Sequence, residues 1–196
     1  MKAGRIEAFS DGVIAILITI MVLNLRQPHG SSFAALRGTL PSLFAYALSF
    51  VNVAIYWNNH HHLLKTIRRV TGATLWANLN LLFWLSLFPF ATAWMAENGF
   101  ATNTVAVYGA VLCLAAIAYY VLQLVIVAAQ GPESGLKEVF GRDYKGKLSL
   151  ISYIVSIPLA FAWRWAAIAI FVGVALTWLI PDRRVQNYIE SAYSSD

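Results

Sequence analysis

The chain has 196 residues, of which 59% are hydrophobic and only 12% charged. Soluble domains carry about 25% charged residues. Here the apolar residues fall in long runs, so the composition excludes an ordinary soluble domain and points to an integral membrane protein. The net charge of +5 reads as orientation charge rather than a nucleic-acid footprint, because the basic residues cluster between apolar runs.

Six apolar runs, at about 6–26, 40–64, 73–95, 104–129, 147–163 and 165–181, are long enough or nearly so for the ~20 residues of a spanning helix. The expected fold is an all-α integral membrane protein, one domain over residues 1–196 with six transmembrane helices per subunit. The first run, "RIEAFSDGVIAILITIMVL" at 5–23, has a basic start like a signal peptide. It carries Asp11 early, and no small-x-small cleavage site follows, so a retained helix is expected. Within it Ile16, Thr19, Ile20 and Leu23 are spaced i, i+3, i+4, i+7 and share one stripe, with Gly12 on the same side. Such a stripe is either packing or lipid contact, or the wall of a pore if several copies of the helix surround an axis. One six-helix chain cannot make that ring, so the second reading requires a homo-oligomer.

Asp11 at membrane depth needs a partner. A direct bond from Arg5, six residues earlier, is not expected on a straight helix. Asn58, Asn59, His60 and His61 lie at the same depth and are expected to tie the first two spans together. Alternatively, Ser10 and Asp11 merely cap the helix start.

The second run ends in "YWNNHHHLLK". Adjacent helical residues are about 100° apart, so His60, His61 and His62 do not share a face. That disfavours a one-chain metal site, and His29, the remaining histidine, lies at the opposite side, which disfavours haem. Hydrogen bonding inside the bundle and a pH-sensitive contact both remain open for them. Cys113, the lone cysteine, excludes an intrachain disulfide and reads as a small core residue.

The loop at about 130–146 is too short to fold alone, and the tail after residue 181 is expected to form a short surface helix. The last two runs flank Trp163-Arg164-Trp165 and together are too long for one crossing, so a tight hairpin is expected, with Pro158 and Pro181 kinking or ending its helices. Aromatic residues near span ends (Tyr56, Trp57, Trp76, Trp94, Trp163, Trp165, Trp178) suit interfacial belts, or the core. Six crossings put both termini on one side. If that side is the cytoplasm, Lys2, Arg5, Lys65, Arg68, Arg69, Lys137, Arg142, Lys145, Lys147, Arg183 and Arg184 lie inside and only Arg26, Arg37 and Arg164 outside, a strong positive-inside bias.

No phosphate loop, serine elbow or HExxH occurs, and no nucleotide-binding domain accompanies the spans. No enzyme, catalytic residue, bound metal or cofactor is therefore expected. A proton-coupled carrier wants an acid near the midplane, which Asp11 is too shallow to supply. A carrier working through the second-span histidines stays as an alternative, as does a non-conducting scaffold, or a metal or haem protein using His60, His61 and His62.

"RIEAFSD" resembles the RxxxFSD signature of the transmembrane protein 175 family, the endosomal and lysosomal potassium channels and their bacterial relatives. The match rests on Arg5, Phe9, Ser10 and Asp11 and the apolar continuation "GVIAILITIMVL", with Trp57, His60 and His61 of "WNNHH" in the second span. The six-span layout is similar to that of the single-repeat bacterial members. The resemblance implies a homotetramer in a bacterial plasma membrane, termini cytoplasmic, whose partners are its own copies, lipid and monovalent cations. The first helix then lines a potassium-preferring pore that lacks a TVGYG filter. It places constrictions at Ile16, Ile20 and Leu23, a selectivity layer at Thr19, and a structural network at Arg5, Phe9, Ser10, Asp11, Trp57, His60 and His61.

Overall fold

A computed structural model of the chain describes residues 3–131, 136 and 143–180. The described residues are almost wholly helical: α1 (Ala3–Leu23), α2 (Phe33–Arg37), α3 (Leu40–Lys65), α4 (Gly72–Ser86), α5 (Phe88–Glu97), α6 (Thr102–Gln130) and α7 (Tyr144–Trp178). The 21 residues of α1 rise ~31 Å, about the thickness of the hydrocarbon core. The tail helix expected after residue 181, most of the 130–146 loop, and Lys2, Lys137, Arg142, Arg183 and Arg184 lie outside the described residues.

Two spans depart from regular helix, and proline explains one of them. Pro89 lacks the amide that would bond the Leu85 carbonyl, so the crossing at 72–97 is divided into α4 and α5 at Leu87. Within α7, Pro158 sits inside the helix, and the residue with non-helical backbone is Trp163, at φ −155° and ψ 89°. There the chain turns back on itself. Lys145 Nζ donates to the carbonyls of Thr177 at 3.3 Å and Ile180 at 3.0 Å. Trp178 Nε1 donates to Ser149 Oγ at 2.9 Å. On a straight helix residues 145 and 177 would stand ~48 Å apart. The two arms of α7, 144–162 and 164–178, are therefore an antiparallel hairpin with Arg164 at its tip. The sequence had not shown α2, whose five residues are capped by the Ser32 hydroxyl on the Ala35 amide.

α6 occupies the centre, packed mainly against α7 and α4. Gly109 of α6 allows that approach: a Cβ there would lie 3.0 Å from Phe171 Cζ. Polar ties also cross the core. Ser49 of α3 shares hydrogen bonds with Thr92 of α5 at 2.7 Å and Tyr108 of α6 at 2.9 Å. The loop after α3 is clamped to the end of α6, where Gln130 Oε1 accepts from the Arg68 and Arg69 amides and Nε2 donates to the Arg69 carbonyl. These contacts sort the bundle ends. Lys65, Arg68, Arg69 and Lys145 mark a basic end. Arg26, paired with Glu97 at 2.8 Å, marks the opposite one.

Candidate pore-lining helix and its polar anchor

α1 presents two faces. Ile6, Ser10, Ile14, Leu17 and Met21 are buried, at the 3-to-4-residue spacing of a packed stripe, and that stripe faces α3, α4 and α5. Two residues along a helix is a rotation of about 200°. Ile16 thus points away from Ile14, and it is 58% exposed, with Ile20 at 41% and Leu23 at 80%. Thr19 is exposed on the same side. Phe9, seven residues before Ile16, is exposed too and extends the stripe toward the basic end. The four residues singled out by spacing therefore look out of the protomer rather than into its core.

Thr19 does not leave its hydroxyl idle. Its Oγ1 donates to the Ile16 carbonyl at 2.7 Å, as hydroxyls commonly do along a helix. With that proton committed, the oxygen lone pairs are what the side chain offers outward.

The buried face is anchored near its start by three sets of polar contacts. Ser10 Oγ accepts from Asn78 Nδ2 of α4 at 3.0 Å. Asn78 Oδ1 lies 2.7 Å from His60 Nε2 of α3, so the amide bridges three helices. Its oxygen can only accept, so His60 carries its proton on Nε2. Beside this bridge Asp11 Oδ1 accepts from Trp57 Nε1 at 2.9 Å. One turn nearer the basic end, Glu7 Oε1 and His61 Nδ1 are 2.7 Å apart, with Trp57 stacked on the His61 ring.

The structure assigns these contacts differently from the sequence in detail. Asp11 meets Trp57 rather than His60, His61, Asn58 or Asn59. Its bond, like Ser10's, runs to another helix, which sets aside the capping alternative. Arg5 is exposed and makes no side-chain hydrogen bond among the described residues. Phe9 lies on the outward stripe. The three histidines point apart as helix geometry requires: His60 to Asn78, His61 to Glu7, and His62 with its Nδ1 buried and unpartnered. Asn78 is the residue sequence reasoning missed. A signal existed, since an amide inside a spanning run is costly unless paired. "WANLNLL" offers two asparagines, however, and only Asn78 is buried while Asn80 is exposed.

A bundle of spanning helices, anchored at one end of a first helix whose other face is left unpacked and apolar, defines a polytopic α-helical membrane protein. The sequence profile described as "Endosomal/lysosomal potassium channel TMEM175" matches residues 5–89. A potassium channel of a Chryseobacterium species is 51% identical over 190 residues, covering 97% of this chain and 99% of that one. The crystal structure of a lysosomal potassium-selective channel TMEM175 homologue from Chamaesiphon minutus superposes with a TM-score of 0.78 at 28% identity, covering 91% of this chain and 96% of that one. The human endosomal/lysosomal proton channel TMEM175 is 38% identical over 81 residues, 35% of this chain and 16% of its own length. The chain belongs to the TMEM175 family.

Proposed function

We propose that this protein is a potassium-preferring cation channel in which four copies present the outward stripe of α1 to a shared central pore. The carrying observation is the two-faced character of that helix. Its buried stripe is fixed to α3 and α4, while Ile16, Ile20 and Leu23 remain unpacked on the far side. Rings of these side chains would form dewetting constrictions. Between them a ring of Thr19 oxygens, proton-committed to Ile16, would face the pore as cation-accepting lone pairs. Conduction is passive, with no covalent step and no resident cofactor; potassium is cargo. The basic end lies in the bacterial cytoplasm, in accord with the positive-inside rule, and puts both termini there. Ser10 and Asp11, with Trp57, His60 and His61, hold α1 in place from outside the pore. The proton-linked carrier alternative is disfavoured, because His60 and His61 are both engaged in helix-to-helix contacts.

The test is flux in liposomes. Purified protein should dissipate a potassium gradient faster than a sodium gradient, with discrete picoampere openings in planar bilayers. Ile16→Asn should raise the leak by wetting the constriction. An unchanged conductance in that variant, together with a monomeric protein, overturns the assignment.

A further inference from the structure

The bond between His60 and Asn78 joins α3 to α4, and each of these residues has an asparagine two positions away, Asn58 on α3 and Asn80 on α4. Two positions turn a helix by about 200°. The two asparagines therefore point away from the joint, on opposite sides of the helix pair. Both are exposed, and among the described residues neither side chain makes a hydrogen bond. Asn58 lies seven residues before the basic end of α3 and Asn80 eight residues after the basic start of α4, ~10–12 Å along each axis. The 26 residues of α3 overhang a hydrocarbon core of ~30 Å by only ~5 Å at each end, so both amides stand inside that core. Lipid tails offer an amide no hydrogen-bond partner, and leaving one unpaired there is costly.

The faces around these amides are complementary. The crossing at 72–97 exposes Phe83 and Phe90, eleven and eighteen residues from its basic start. The residues eleven and eighteen positions from the basic end of α3 are Ala54 and Ala47, one half-buried and the other exposed. The two crossings run in opposite directions, so equal counts mean equal depths. Laid side by side, the faces would set Phe83 against Ala54, Phe90 against Ala47 and Asn80 beside Asn58, in steps of three, four and seven residues, the spacing by which helices mesh. Within one protomer the faces look apart and cannot meet. α1 lies between them, since Ser10 bonds to α4 and Asp11 to α3.

We infer that the outer face of α3 in each copy docks on the outer face of α4 and α5 in the next, with Asn58 and Asn80 hydrogen-bonded across the boundary. Two different faces on opposite flanks make a head-to-tail contact, which closes into a ring, and here the ring has α1 on its inner side. The inference rests on the four-copy pore proposed above and names the surfaces that close it. A second copy is the fitting occupant because it supplies an amide at the required depth and an alanine hollow for each phenylalanine. Amides paired between helices are a common adhesive in membranes.

The test uses full-length protein in a mild detergent, with oligomer size read by native mass spectrometry. Cys113→Ala removes the one native thiol. In that background the Asn58→Cys/Asn80→Cys variant, oxidised with copper phenanthroline, should give a covalent ladder ending at the tetramer on a non-reducing gel, because each copy joins both neighbours. Asn58→Cys alone and Asn80→Cys alone should stay monomeric on that gel. Ala54→Phe fills the hollow meant for Phe83 and should weaken assembly by about tenfold or more, the scale of overpacking a fitted contact. Adding Phe83→Ala should restore the tetramer, since it vacates the space the new ring needs. Both positions lie on an outer flank, and an unchanged circular dichroism spectrum checks that the protomer folds. A wild-type tetramer whose double-cysteine variant does not cross-link, or whose single-cysteine variants cross-link equally well, overturns the interface alone. So does an Ala54→Phe tetramer of wild-type stability, or one not restored by Phe83→Ala. A monomeric wild type overturns the four-copy pore and the interface with it.

Discussion

Asn78→Ala is the most informative single change to the anchor of α1. The side chain donates to Ser10 and accepts from His60, and both partners are fully buried. Removing it deletes two interhelical hydrogen bonds, each worth on average about 0.6 kcal/mol within a membrane bundle and at most about 1.7. It also strands polar groups. Ser10 can turn its hydroxyl to a carbonyl of its own helix, so its penalty is small. The His60 Nε2 proton has no such escape, and an unpaired buried donor costs about 1–3 kcal/mol. The expected destabilisation is therefore about 2–4 kcal/mol, against about 2 kcal/mol for Ser10→Ala, which loses one bond and leaves the buried Asn78 Nδ2 donor unpaired. Reversible unfolding in mixed micelles, followed by far-UV circular dichroism, measures both. The Ser10→Ala/Asn78→Ala double variant should be less destabilised than the sum of the singles, by about 0.6–1.7 kcal/mol. An Asn78→Ala protein within 0.5 kcal/mol of wild type, or strictly additive variants, would refute the bridge.

Gly109→Ala should destabilise by about 1–3 kcal/mol through overpacking, because its new methyl would press on Phe171 and Ser156; the same unfolding assay checks it. Thr19→Val keeps the shape and removes an exposed hydroxyl, so stability should stay within about 0.5 kcal/mol while the potassium-to-sodium permeability ratio falls, read from bi-ionic reversal potentials. Arg26→Ala should cost less than about 1 kcal/mol, since the pair with Glu97 is largely exposed, at 79% and 43%. A similarly small loss is expected for Glu97→Ala, with the charge-swapped double variant restoring wild-type unfolding.

Much of this architecture was legible because membrane spans obey simple physics. The stripe in α1 is visible at period 3.6, and its outward face is what the structure leaves unpacked. The hairpin at Trp163 followed from length and from the sign of the loop charges. The division of α4 from α5 was not anticipated. Pro89 sits in the run "LFPFATAW", which hydropathy alone reads as continuous, and only the loss of the Leu85 partner exposes the break. The anchor was half visible: Asp11 and the second-span histidines could be placed at one depth, yet depth does not fix rotation. Which of Trp57, Asn58 or His61 faces Asp11 depends on how α3 is turned against α1, and packing over the whole interface sets that. Asn78 and the Ser49–Thr92–Tyr108 cluster were hidden for the same reason, as isolated polar residues in apolar runs whose partners lie 43 to 68 positions away.

The distribution of ties along α1 has a mechanical consequence. Among the described residues, every directional side-chain bond from the helix to its neighbours falls at Glu7, Ser10 or Asp11. Ile14, Leu17 and Met21 are held by apolar contact alone, which tolerates small slips and rotations that a hydrogen bond does not. The rod behaves as a beam clamped near one end, and its deflection grows with distance from the clamp. Leu23, farthest out, would swing through the widest arc and Ile16 through the narrowest, so the outer neck of the proposed conduit is the compliant one.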